Sequence, residues 1–215
     1  KGGTATALAK NLNAYSGQIE YVDAGHSGKA VRLGNYGLQL NTKNIGTDYT
    51  VSFWMKNEEQ LVGNQVLALL GYHAPENWIA LSGNRVGSVV KFWGNGGAFS
   101  THTTLSTLTL PAMEWHQITI TGTDGVVSLY RDGVLVSETT SNNPLSGENA
   151  DVYLGVNYWD ALFVGLVDEV RVYDLAMTQE EVQEQALSEF QAAFAAQAEQ
   201  ALDAADLLAA GQHAD

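Results

Sequence analysis

The feature that most constrains this chain is a long series of short alternating runs, each closed by a turn signal, with no helical period between them. Thr50–Lys56 reads Thr-Val-Ser-Phe-Trp-Met-Lys and puts Val51, Phe53 and Met55 on one side of an extended segment. Gln117–Thr121 (Gln-Ile-Thr-Ile-Thr) alternates in the same way. Val126–Tyr130 and Val134–Glu138 flank Arg131-Asp132-Gly133, and Asp124-Gly125 stands just ahead of them. Asp-Gly between two β-rich runs signals a hairpin, because a two-residue type I′ turn needs positive φ at both central residues. Val152–Leu154 and Leu166–Tyr173 complete the set. Strands at this spacing predict an all-β sandwich or jelly roll over residues 1–177.

The pattern changes at Thr178. Thr178 and Glu181 make a capping-box signature, and an Ala/Gln/Glu-rich segment without glycine or proline follows up to Gly211. This predicts a helix over 178–210 with a tail at 211–215. Val182, Phe190, Phe194, Leu202 and Leu208 fall roughly on one face, interrupted by Gln197. Such a helix can pack on the sandwich, pair with another chain or link to a neighbouring domain.

Charge removes whole classes of partner. Ten basic residues stand against 24 acidic ones, a net charge of -14. Nucleic acid and anionic membrane surfaces both call for clustered Lys and Arg. Cysteine is absent, which excludes disulfides, thiolate nucleophiles and Cys-based zinc sites. No run of about 18 apolar residues is present to cross a membrane. The opening Lys-Gly-Gly-Thr-Ala-Thr-Ala lacks the apolar core of a signal peptide and reads like the cut edge of a longer protein.

Five runs, in order, carry a family resemblance: Ser27-Gly28-Lys29-Ala30-Val31-Arg32-Leu33; Tyr49–Lys56; Glu114-Trp115-His116-Gln117-Ile118-Thr119; Val127–Val136; and Gly165–Tyr173 followed by Leu175 and Thr178–Glu181. Together they resemble the laminin-G-like, or concanavalin A-like, lectin/glucanase superfamily over roughly residues 19 to 183. The resemblance implies a two-sheet antiparallel jelly-roll sandwich, here with a C-terminal α-helix. Asn77–Leu81 and Asn157-Tyr158-Trp159-Asp160 are also similar to modules attached to bacterial arabinan- and xylan-degrading glycoside hydrolases. Secretion or display at a bacterial cell surface is implied with it. Many relatives hold a structural calcium ion that joins an early segment to the last strand. The matching residues would be Asp168 and Asp23, with backbone carbonyls near Gly34 or His26 completing the shell. The alternative is that Asp168 caps backbone amides or forms a buried ion pair.

The fold also hosts hydrolases, which need a carboxylic acid and a carboxylate about 5 Å apart for retaining chemistry. Glu58-Glu59 lies in a turn-like stretch, and the adjacent Asp168 and Glu169 point to opposite faces of a strand. Neither has catalytic spacing, and no Ser/His/Asp arrangement is readable around His26, His73, His102, His116 and His213. His116, next to Trp115 in a structural strand, reads as a satisfied structural histidine. The chain is expected not to be an enzyme.

Sugar rings stack C–H patches on flat aromatic faces and need planar polar partners for their hydroxyls. Trp54 and Trp115 sit in core-strand motifs and read as packing residues. Phe92 and Trp93 face opposite ways in a strand, so one of them leaves the core. Trp93 and Trp159 are therefore the preferred stacking residues, with Trp78 as a further candidate. Tyr72 and His73 are loop candidates, and Arg85, Asn95, Asn157 and Asp160 are candidate hydroxyl partners. Three functions fit: a non-catalytic carbohydrate-binding module of a secreted multidomain polysaccharide-degrading enzyme, a glycan-binding adhesin module, or a structural module that docks through its helix. A neighbouring catalytic or adhesin domain in a longer chain belongs to the first two.

Overall fold

The computed structural model describes residues 4–42, 44–61, 63–72, 77–83, 89–96, 99–141 and 143–212. Among these, fifteen strands run in order: β1 (Thr6–Ala9), β2 (Asn13–Ala14), β3 (Glu20–Val22), β4 (Ala30–Leu33), β5 (Gly37–Gln39), β6 (Tyr49–Asn57), β7 (Val66–Tyr72), β8 (Asn77–Gly83), β9 (Val89–Gly96), β10 (Phe99–Thr109), β11 (Trp115–Thr123), β12 (Val126–Arg131), β13 (Val134–Thr140), β14 (Asp151–Leu154) and β15 (Gly165–Tyr173). They form two antiparallel sheets. One has eight strands in the order β10-β9-β8-β7-β14-β5-β1-β2, and the other has seven in the order β13-β12-β11-β6-β15-β4-β3. The jelly-roll sandwich expected from the sequence is the fold.

Alternation decides which side chains fill the space between the sheets. In β6, Val51, Phe53 and Met55 are at most 1 % exposed and face the core, as read from the sequence. Phe53 lies opposite Ile118 and Val51 opposite Ile120 in the β6–β11 ladder. From the eight-stranded sheet come Leu70, Ile79, Leu81, Phe92, Val152 and Leu154. Each such side chain contributes about 1.5–3 kcal/mol on burial. The two Asp-Gly hairpins form as read, with positive φ at Asp124 and Gly125 and at Asp132 and Gly133.

Helix α1 spans Gln179–Gln212 and starts at its capping box. The Glu181 amide donates to Thr178 Oγ1 at 3.3 Å, and the Thr178 amide donates back to Glu181 Oε2 at 2.8 Å. The packed face follows the expected stripe only in part. Val182 is buried as expected and Phe190, 42 % exposed, meets Trp54 edge-on, whereas Phe194 and Leu202 lie in solvent and Ala186 and Ala193 are buried instead. The reason is close approach. A Cβ added at Gly133, in the β12–β13 turn, would sit 3.1 Å from Ala186 Cβ, so small residues line the contact. From Phe194 to Leu202 every described side chain is exposed. Leu208 lies where side chains are not described. No helix among the described residues is long and apolar enough to cross a membrane.

Candidate functional site

The outer face of the eight-stranded sheet, opposite the core, carries a second cluster: Leu69, Trp78, Ala80, Tyr153 and Val156, with Trp93, Tyr158, Trp159 and Leu162 packed against it. Strand register builds it. Tyr153 pairs with Leu69, Leu69 with Ala80, and Ala80 with Trp93, giving one row across β14, β7, β8 and β9. Trp78 belongs to the next row, opposite Gly71 of β7. Phe92 enters the main core while Trp93 takes this outer face, as alternation requires.

The three tryptophans form one assembly. Trp78 meets Trp93 at 4.9 Å between ring centroids, near-perpendicular, and Trp159 at 5.0 Å. Trp93 and Trp159 cross edge-on at 6.4 Å, and Tyr158 stacks on Trp159 at 5.8 Å. Trp78 is 1 % exposed, so it is the floor of the patch. Trp93, Tyr158 and Trp159 are half-buried and keep part of their surface in solvent.

Trp159 is brought here by the loop after β14, which is tied to the start of β7. The Val66 amide donates to the Ala161 carbonyl at 3.0 Å, and the Ala161 amide donates to Asn64 at 2.9 Å. Asn157 is fully buried and sets the turn. Its Oδ1 accepts the amides of Trp159 and Asp160, and its Nδ2 donates to Asp160 Oδ2 at 2.8 Å. Asn157 and Asp160 therefore hold the loop that carries Trp159. Tyr72, half-buried, lies near Tyr153. Burial, then Tyr158, pushes the Tyr153 phenol up, with smaller contributions from Asp151 and Tyr72. Tyr153 and Tyr158 are aromatic members of the patch that were not among the sequence-derived candidates; the signal for Tyr153 was the alternation Val152-Tyr153-Leu154, which sends it outward. Asn95 pairs with Trp78 in the ladder, and its side chain lies outside those described. His73 and Arg85 lie outside the described residues.

The two carboxylates considered for calcium have separate jobs. Asp23 is 86 % exposed and pairs with Lys29 at 3.4 Å. Asp168 is 8 % exposed, and its oxygens accept the amides of Ser27 at 2.9 Å and Glu169 at 2.8 Å. Among the described residues, no group of three His, Asp or Glu side chains could hold a metal ion. Calcium takes six to eight oxygens, and Asp23 and Asp168 are engaged separately, by Lys29 and by backbone amides. Asp168 caps the turn Gly25–Gly28. Glu58 pairs with Arg32, and Glu169 pairs with Arg171. His116 Nδ1 hydrogen-bonds Asp132 at 2.9 Å in the β12–β13 turn.

The outer face of the seven-stranded sheet is different. Trp54 is fully buried there, with His26 stacked on it at 3.6 Å and Phe190 of α1 edge-on at 4.7 Å. Trp115 lies on the same side, 6.0 Å from His26. Burial pushes the His26 imidazole below its ordinary value of 6.5, against the opposing effects of Asp168 and Glu189. Trp54 does pack, as expected, but against α1 rather than in the core.

The sequence profile of the concanavalin A-like lectin/glucanases superfamily matches residues 31–183. The chain belongs to that superfamily. Among solved structures it is similar to domain 4 of AbnA, a GH43 extracellular arabinanase from Geobacillus stearothermophilus, determined in complex with arabinotriose. Identity is 30 %, the match covers 86 % of this chain and 87 % of that one, and the TM-score is 0.68. The receptor-binding domain of botulinum neurotoxin type G (12 % identity, TM-score 0.59) shares the fold, with 87 % of this chain matched to 47 % of that one. So does the binding domain of Paraclostridial mosquitocidal protein 1 (16 %, TM-score 0.56), with 86 % matched to 47 %. No curated protein sequence matches the chain.

Proposed function

We propose that this chain is a non-catalytic carbohydrate-binding module of a secreted, multidomain polysaccharide-degrading enzyme, and that it holds glycan on the outer face of the eight-stranded sheet. The observation that carries this reading is the Trp78–Trp93–Trp159 assembly, two of whose rings are part-exposed, Trp93 on the sheet and Trp159 on the loop that packs over it. Trp93 and Trp159 stack on sugar, Trp78 supports them, and the part-exposed Tyr158 offers a hydroxyl partner. The arabinanase domain solved with arabinotriose makes arabino-oligosaccharide the first ligand to test. The net charge of -14 favours neutral over anionic glycan. Tethering to polysaccharide would raise the local substrate concentration for a partner domain.

An open patch buries little ligand surface, so the expected Kd is about 10 µM to 1 mM. Isothermal calorimetry against arabinotriose, xylo-oligosaccharide, β-glucan, fructan and algal oligosaccharides tests the reading. Heat of binding with one neutral glycan is expected; silence across the set would overturn it. Turnover of any of these glycans by the isolated chain would refute the non-catalytic part.

A further inference from the structure

We propose that the outer face of the seven-stranded sheet carries a carboxylate receptor, made by the Trp54 indole N–H, the Gln117 amide and the Arg171 guanidinium, and that Glu189 is its resident ligand, docking α1 in cis. The three donors come from β6, β11 and β15, which lie side by side in the sheet. Gln117 pairs directly with Trp54, and Arg171 pairs with Ser52 two residues away. Glu189 receives all three. Trp54 Nε1 and Gln117 Nε2 donate to its Oε2, the latter at 2.8 Å, and Arg171 Nη1 donates to Oε1 at 2.6 Å. Gln185, one turn earlier in the helix, adds a fourth donor at 2.9 Å. A carboxylate has about four lone-pair sites, so this set saturates it.

The receptor is preorganised by groups outside α1. His26 stacks on Trp54 and fixes its plane, and Glu169 holds the second arm of Arg171. Arg171 supplies the opposite charge that a carboxylate 13 % exposed requires. Among the helix acids whose side chains are described, Glu180, Glu181, Glu184 and Glu199 are exposed, and Glu189 alone turns inward. The apolar contacts of α1 are the buried Val182, Ala186 and Ala193 and the part-exposed Phe190, whose ring meets Trp54 edge-on. The polar element of docking is the Glu189 carboxylate, and a receptor for carboxylate accepts one from solution when its own is removed.

Chemical rescue of the full chain tests this. Glu189→Ala is expected to lower Tm by about 5 °C and to speed amide exchange of residues 179–194 about tenfold. Acetate or formate, against chloride at equal ionic strength, should restore part of both, saturably. Adding Arg171→Ala should abolish the restoration. Restoration by acetate no greater than by chloride, or equal restoration without Arg171, would overturn the proposal. If Glu189→Ala does not fold, Glu189→Gln keeps the shape but turns an amide N–H₂ toward donors. Faster exchange over 179–194 supports the receptor, and unchanged exchange contradicts it.

Discussion

The five tryptophans divide between the two outer faces of the sandwich, and the two faces have opposite fates. Trp78, Trp93 and Trp159 gather on the eight-stranded sheet, where Trp93 and Trp159 leave ring surface in solvent. Trp54 and Trp115 lie on the seven-stranded sheet, where His26, Phe190 and Glu189 cover Trp54 completely. Both faces arise from the same period-two alternation, which must send every second side chain away from the core. The difference lies in what the rest of the chain does next. One face receives a loop that adds another aromatic ring. The other receives a helix that occupies the polar groups a ligand would use. An aromatic outward position thus becomes a candidate site only where no later segment claims it.

The largest expected effect separates the faces by stability. Trp54→Ala should cost about 3–5 kcal/mol in a denaturant titration, because it empties a fully enclosed position. The folded fraction should keep its glycan affinity; loss of affinity there would break the comparison. Next, Trp93→Ala and Trp159→Ala should each weaken arabinotriose binding at least about tenfold, or ~1.4 kcal/mol, with a smaller loss of stability than Trp54→Ala. Asn157→Ala should cost about 1–3 kcal/mol by removing a buried acceptor of two amides. It should also weaken binding in calorimetry, since the loop that seats Trp159 loses its internal tie.

A smaller effect concerns pH. His26 is held below its ordinary value, so below pH 6.5 the unfolded chain binds a proton that the folded chain resists. Stability present above pH 6.5 should be lost as pH falls through the folded value. His26 faces Asp168, Glu189, Trp54, Trp115 and Phe190. Thermal melts of wild type and His26→Gln at pH 7.5 and 5.5 check this; the variant should show the shallower decline. The smallest effect is the response to calcium. With Asp23 paired to Lys29 and Asp168 engaged by amides, melts with calcium and with chelator should coincide. A calcium-dependent rise in Tm would show that the Asp168 turn rearranges to bind the ion.

Much of the sandwich was legible because its signals are local. The alternation of Val51, Phe53 and Met55, the Asp-Gly turns and the Thr178–Glu181 box each act within a few residues. Trp93 was legible too, since Phe92 and Trp93 cannot share a face. The same logic applied to Trp54, flanked by inward Phe53 and Met55, sends it outward as well. Its burial depends on Glu189, 135 residues later, and no local pattern announces such a contact. The helix misled for a related reason. Phe194 and Leu202 extended the expected stripe into what is solvent, whereas the approach of the Gly133 turn selects alanine at position 186. Asn157 and Asp160 have polar groups suited to sugar hydroxyls, but a three-residue spacing also suits a closed turn, and in the structure they bond to each other.

The indole N–H resonances of the five tryptophans test the central claim in one titration. With ¹⁵N-labelled protein and increasing arabinotriose, the signals of Trp93 and Trp159 should move, that of Trp78 beneath them should follow, and those of Trp54 and Trp115 should stay still. Movement of Trp54 and Trp115 with the other three unchanged would place the ligand on the helix-covered sheet and contradict the account.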